Sequence, residues 1–296
     1  MEPVSAALVL SGGGARACAH IGAIRRLEES GFRITSVAGT SMGALIGGIY
    51  AAGGLEAFSN WISSLDTMEI LKITDITISS SGFVKGKKIF DKFNDIIPDR
   101  KIEDLSIPFC AVATDIINKK ERVFSSGALY DAIRASISIP TVFQPFFTDD
   151  SYYVDGGLVN QIPVNRVARN DGDILIVVDA GANIPYETNL SSDVSLSRYR
   201  EKIERMQKKF NLLLLNENKK SKKGIGIFNL SNRSIGIMMR RISDLMLERY
   251  PPDILIQISK ESFSTYDFYK AAEIIREGER AAEKAISLYN SGKKVQ

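Results

Sequence analysis

The sequence predicts an α/β fold, a parallel sheet with helices packed on its faces. Three observations carry the prediction. Ala6-Ala7-Leu8-Val9-Leu10 is a continuous apolar run, the pattern of a strand buried on both faces. It ends in Ser11-Gly12-Gly13-Gly14, and a helix with Ala19, Ala23, Ile24 and Leu27 on one side follows, closed by Gly31. Strand, glycine turn and helix then repeat over Val37–Ala44 and on through Leu45, Ile46 and Ile49. Two consecutive strand–helix units imply parallel strands with helices over them.

The remaining elements follow in order. Leu55–Leu65 reads as a helix, Ile73–Ser80 as an alternating edge strand and Lys85–Ile96 as a helix. Phe109–Thr114 is a third buried strand, turning through Asn118-Lys119-Lys120 into a hairpin with Arg122–Ser125. Ala128–Ile137 is helical, and Pro140 and Pro145 bracket an apolar loop with Val142, Phe143, Phe146 and Phe147. A short strand, Tyr152–Val154, leads to Asp155-Gly156-Gly157, after which Leu158–Pro163 runs toward a helix start. Ile174–Asp179 is a fourth buried strand, Ile254–Ile258 a last one, and Tyr266–Tyr289 a terminal amphipathic helix. Between them the composition changes, with helices expected over Leu196–Leu215 and Ser234–Leu247 around the run Lys219–Gly224. The expected organisation is a core over 1–190, a basic helical insertion or lid over 191–250, and a return to the core over 251–296.

Bulk composition narrows the class. At 296 residues and 44% hydrophobic the chain can bury a large core. No apolar run approaches the roughly 20 residues of a membrane span, and Met1-Glu2-Pro3 carries an acid where a signal peptide carries a cation. Two cysteines, Cys18 and Cys110, make neither a disulfide framework nor a metal site. A cytoplasmic protein, peripheral to the membrane at most, is expected. The net charge is +3, yet residues 191–250 hold 14 Lys and Arg against 6 Asp and Glu. That asymmetry suggests an anionic surface as partner, or a solvated helical face.

Gly39-Thr40-Ser41-Met42-Gly43 has the form Gly-x-Ser-x-Gly between a strand and a helix. Such a turn presents its serine as a nucleophile at a helix N-terminus, where unpaired N–H groups favour developing negative charge. The run Gly12-x-Gly14-x-x-Ala17 also fits a dinucleotide fingerprint, but that reading needs an acid at the end of the second strand, where Gly39-Thr40-Ser41 stands. A phosphate loop is excluded because no Gly-Lys-Ser/Thr follows. The remaining function for Gly12, Gly13 and Gly14 is an oxyanion hole, with Arg16 adding positive charge. A serine needs a base. The one histidine, His20, lies inside the first helix ahead of the serine, a setting that reads as structural. Asp155, at a strand end and flanked by glycine, is the better-placed base, and partial burial would bring its pKa toward working pH.

Gly-Gly-Gly-x-Arg after the first strand, Gly-x-Ser-x-Gly after the second and Asp155-Gly156-Gly157 much later together resemble the patatin-like phospholipases, as does Asp131-Ala132-Ile133-Arg134-Ala135-Ser136 with its proline-rich sequel. The resemblance runs from Leu8 to about Val164. It implies a three-layer α/β/α sandwich with a mostly parallel sheet, a Ser–Asp dyad, and lipid acyl hydrolysis with no metal or other cofactor. Carried over, Ser41 is nucleophile, Asp155 base, and Gly12, Gly13, Gly14 and Arg16 the oxyanion region. One departure is Ala17, where the family has glycine. The expected activity is a serine hydrolase of glycerophospholipid, lysophospholipid or acylglycerol esters, with Phe143, Phe146, Phe147, Met238 and Met239 along the acyl path. The expected partner is a lipid at a membrane surface, not nucleic acid. The rival readings are an acyltransferase using the same dyad and a silent membrane-surface binding module.

Overall fold

Strand β1 (Val4–Leu10) is buried from Ala6 to Leu10, as its unbroken apolar run requires. With it run β2 (Phe32–Thr40), β5 (Phe109–Asp115), β6 (Lys120–Phe124), β7 (Phe146–Thr148), β8 (Ser151–Asp155), β9 (Ile174–Ala182) and β10 (Ile254–Ser259). They form one eight-stranded sheet in the order β10-β9-β1-β2-β5-β8-β7, with β6 pairing β5. Pairing is parallel from β10 to β5 and antiparallel from β5 onward. The computed structural model describes residues 2–73, 76–79, 82–84, 86–140, 142–186 and 227–292.

Helices cover the sheet. They are α1 (Ala19–Glu29), α2 (Met42–Ala51), α3 (Leu55–Ser64), α4 (Thr67–Ile73), α5 (Lys87–Ile96), α6 (Leu129–Ser136), α7 (Ile227–Arg249) and α8 (Ala271–Asn290). Because strand side chains alternate between faces, Leu8, Leu10, Ile176 and Val178 join the core shared with α1, α2, α6 and α8. Val9, Leu175 and Val177 point the other way, against Ile162, Val164 and the last turns of α7 at Met246 and Leu247. The result is a mixed α/β fold with a central eight-stranded sheet flanked by helices.

The chain divides into two compact units, Met1–Pro185 with Ile235–Gln296, and Tyr186–Ser234. The expected helix Leu196–Leu215 and the run Lys219–Gly224 lie outside the described residues.

Three local expectations are corrected. The stretch read as an edge strand from Ile73 starts later, because Ile73 is the last residue of α4, a helix begun by a reciprocal cap in which Glu69 N–H donates to Asp66 and Asp66 N–H to Glu69, each at 2.8 Å. The strand that follows, β3 (Ile76–Ser79), pairs with β4 (Gly82–Val84) in a separate hairpin and not with the main sheet. Leu158–Pro163 opens no helix: one 3-10 turn, Gly156–Leu158, gives way to irregular chain up to β9. Ile162 and Val164 there are needed as buried cover for Val9, which holds the segment flat on the sheet. Phe146–Thr148, read as loop, is an edge strand because β8 offers it a partner.

Candidate active site

Ser41 stands alone between β2 and α2, at φ 57° and ψ −129°. A non-glycine residue there costs about 1–3 kcal/mol and persists only where its surroundings dictate it. Ser41 N–H donates to Ser136 Oγ at 2.8 Å, and Ser41 C=O accepts from Ala44 and Leu45 N–H at 2.9 and 3.1 Å. The two glycines of the pentapeptide provide room. A Cβ on Gly39 would come within 2.5 Å of Ala44 N, and one on Gly43 would collide with the Leu10 carbonyl at the end of β1. The first turn of α2 therefore begins hard against the sheet, with its N-terminus at the serine.

Asp155 ends β8, on the far side of β5 from Ser41. In the β2–β5 register Thr40 faces Val112, and in the β5–β8 register Asp155 faces Ala113. The middle strand thus carries both residues to one place. Ser41 Oγ donates to Asp155 Oδ2 at 2.5 Å, and Gly157 N–H donates to Oδ1 at 2.7 Å. Both side chains are nearly closed off from solvent, Ser41 at 4% exposure and Asp155 at 6%. Burial pushes the Asp155 carboxyl up to about 6, against the opposing pull of its bonds from Ser41 and Gly157. Gly156 must be glycine because a Cβ would collide with the Val112 carbonyl of β5.

The glycine-rich turn after β1 is braced on several sides. Gly12 N–H is already given to the Gln161 carbonyl at 3.2 Å. Gly14 is left-handed at φ 58°, and a Cβ there would meet the Thr265 carbonyl at 2.5 Å. Among the described residues no acceptor meets the amides of Gly13 and Gly14, which sit at the start of a 3-10 turn. Arg16 points its guanidinium at backbone: Nε donates to Ala180 C=O at 2.9 Å and Nη1 to Phe263 C=O at 3.0 Å. Desolvation lowers its pKa, while Asp179 and Asp267 work in the other direction. Its place is that of a brace holding the turn to β9 and to the segment before α8. Ala17 is wholly buried in that brace.

His20 directs its hydrogen bond away from Ser41. It is wholly buried, and Nε2 lies 2.8 Å from the Ser11 carbonyl, an acceptor only, so Nε2 carries the proton. Burial presses its pKa down to about 4. Of the aromatic residues expected along an acyl path, Phe143 lies under the Arg134 guanidinium, and Phe147 is exposed with its ring tilted against that of Tyr152. The two methionines are separated by the helical turn of about 100° per residue. Met239 reaches within 2.8 Å of where a Cβ on Gly157 would stand, whereas Met238 is 64% exposed.

Two residues at the site were given no role by the sequence. Ser136, at the end of α6, accepts from Ser41 N–H and donates to Val112 C=O at 2.5 Å, tying elbow, helix and β5 together. Gln161 lays its amide beside Gly12 and Gly157 with Oε1 buried and unpartnered. Ser136 lies inside the stretch Asp131–Ser136 that carries the family resemblance, whereas Gln161 has no local signal beyond its position after Asp155-Gly156-Gly157. Among the described residues no group of three or more His, Cys, Asp or Glu is placed to hold a metal ion, and no helix is long and apolar enough to cross a membrane.

Comparison with known proteins adds independent findings. Residues 8–168 match the family described as patatin-like phospholipase. An uncharacterized NTE family protein of Mycobacterium tuberculosis is 33% identical over 329 aligned positions, which take in 96% of this chain and 91% of that one. Patatin-like phospholipase domain-containing protein 7 of Rattus norvegicus is 35% identical over 196 positions, 63% of this chain but 14% of the rat protein. The crystal structure of VipD from Legionella pneumophila is similar in fold, with TM-score 0.50 at 16% identity, over 98% of this chain and 67% of that one. A serine elbow and an aspartate strand end on one sheet, in a chain matched to this family over more than half its length, lead to one statement: the chain belongs to the patatin-like phospholipase family.

Proposed function

We propose that the protein is a serine lipid acyl hydrolase that cleaves fatty-acyl esters of glycerophospholipids, lysophospholipids or acylglycerols through Ser41 and Asp155. The observation that supports this most is the hydrogen bond of 2.5 Å from Ser41 Oγ to a buried carboxylate, with no imidazole between them. The Asp155 carboxylate takes the Ser41 proton as Oγ attacks the ester carbonyl. Negative charge then grows on the carbonyl oxygen, and the unpartnered Gly13 and Gly14 amides, with the N-terminus of α2, are the groups available to hold it. The C–O bond to the alcohol breaks, and Asp155 passes its proton to the leaving oxygen. Water next gives a proton to Asp155 and its hydroxyl to the acyl carbon, and the fatty acid leaves as Ser41 recovers its hydrogen. Gly12 and Arg16 contribute by holding the turn in shape. The long connection 183–253 between the adjacent parallel strands β9 and β10 is read as the insertion that the basic composition marks.

Ser41→Ala should release no p-nitrophenol from a short-chain ester above background and take no label from a fluorophosphonate, while wild type does both. Equal turnover in wild type and Ser41→Ala would refute the reading.

A further inference from the structure

Helix α7 is apolar on two sides, which a helix lying on a soluble protein surface ordinarily is not. Its inner side is accounted for. Met239 lies against Gly157, Ser243 is 1% exposed, and Met246 and Leu247 pack against the cluster that holds Val9 and Val177. The rotation of the helix is pinned by Arg240, whose Nη1 donates to the buried Asp179 at 2.6 Å while Nη2 holds Asp244 one turn on. With that side fixed inward, Ile237, Met238, Arg241 and Leu245 must share the outer side, at spacings of one, three and four residues. Ile237 is 71% exposed and Leu245 46%, and the intervening Arg241 pairs with Glu248 at 3.6 Å. Single exposed apolar side chains need no explanation, but an aligned stripe of three on a pinned helix does.

We infer that this outer stripe of α7 is the surface by which the protein lies on an anionic lipid bilayer. The inference rests on the proposed lipid hydrolase reading for its placement, since the inner side of the same helix touches the turn after Asp155. Charge selects the bilayer over a second copy of this chain. Helix α7 itself carries Arg233, Arg240, Arg241 and Arg249 against Asp244 and Glu248. Two copies would bring like charge together, whereas anionic headgroups attract each cation near the surface. An apolar stripe on a basic segment is the pattern of a helix lying in the headgroup plane.

The test uses the full chain with sedimenting vesicles, either phosphatidylcholine alone or with about 30 mol% phosphatidylglycerol. Wild type should pellet with the anionic vesicles and be released at about 0.5 M salt. Ile237→Asp with Met238→Asp should weaken vesicle binding about tenfold or more, and slow hydrolysis of vesicle lipid in step, while turnover of a soluble short-chain ester stays within about twofold. Met238→Trp should shift its emission to the blue only when anionic vesicles are added. Wild-type failure to pellet, equal pelleting of the double aspartate variant, or a wild-type dimer that this variant dissociates would each overturn the proposal. Sedimentation does not depend on turnover, so it decides the docking surface even where the ester assay fails, and the ester assay with Ser41→Ala decides the hydrolase reading separately.

Discussion

Ser41 Oγ and Asp155 Oδ2 stand 2.5 Å apart although 114 positions separate them in the chain. They meet because β5 lies between the strand that ends before the serine and the strand that ends at the aspartate. The bond is enclosed, and enclosure sets its chemistry: water would leave the carboxylate a weak base, whereas burial raises it to about 6.

The first prediction concerns pH. In the proposed mechanism the free carboxylate is the base, so kcat/KM should fall with unit slope below about pH 6. The same shift has a stability consequence. Between its ordinary 3.8 and about 6 the folded chain keeps a proton that the unfolded chain has lost, so stability falls as pH rises through that window. The cost of the buried charge above it is about 3 kcal/mol. Asp155→Asn should therefore be inactive yet melt at a higher temperature than wild type at pH 8, the gap closing near pH 4. Thermal melts at the two pH values check this, and a variant less stable at pH 8 would refute it.

Ser136→Ala should be felt at the elbow. It leaves the Ser41 N–H buried without its acceptor and frees the Val112 carbonyl. The expected cost is about 1–3 kcal/mol in stability and about tenfold in kcat, with little change in KM. Threonine, which keeps the hydroxyl, should restore much of the lost kcat. A fall confined to KM would remove Ser136 as a positioning residue.

His20→Ala should damage the fold more than the chemistry. It empties a wholly buried site and strands the Ser11 carbonyl, for about 2–4 kcal/mol. A fluorophosphonate should still label Ser41 in the folded variant. Loss of labelling with an intact melt would restore histidine to consideration.

How much was legible depended on how local each feature is. The buried strands β1, β5 and β9 were readable because complete burial demands an unbroken apolar run. The elbow was readable because Gly39 and Gly43 are demanded by contacts within the turn and with the strand beside it. The start of α4 has a local signal, the reciprocal cap between Asp66 and Glu69, in a stretch to which no element was assigned from sequence. The edge strand Phe146–Thr148 had no such signal: it exists only because β8 pairs with it.

The sequence by itself determined the strand–turn–helix units, the serine turn with its glycines and an aspartate at a strand end, since each is marked by a residue pattern only a few positions long. The tertiary structure alone decided that β5 would stand between Ser41 and Asp155, that Ser136 would hold the elbow, and that Arg16 would point at carbonyls of β9 and of the segment before α8. It also decided which methionine of α7 faces the site and which faces outward, through one ion pair between Arg240 and Asp179. Strand order and helix rotation are set by contacts between parts of the chain far apart in sequence, and local propensity carries no record of them.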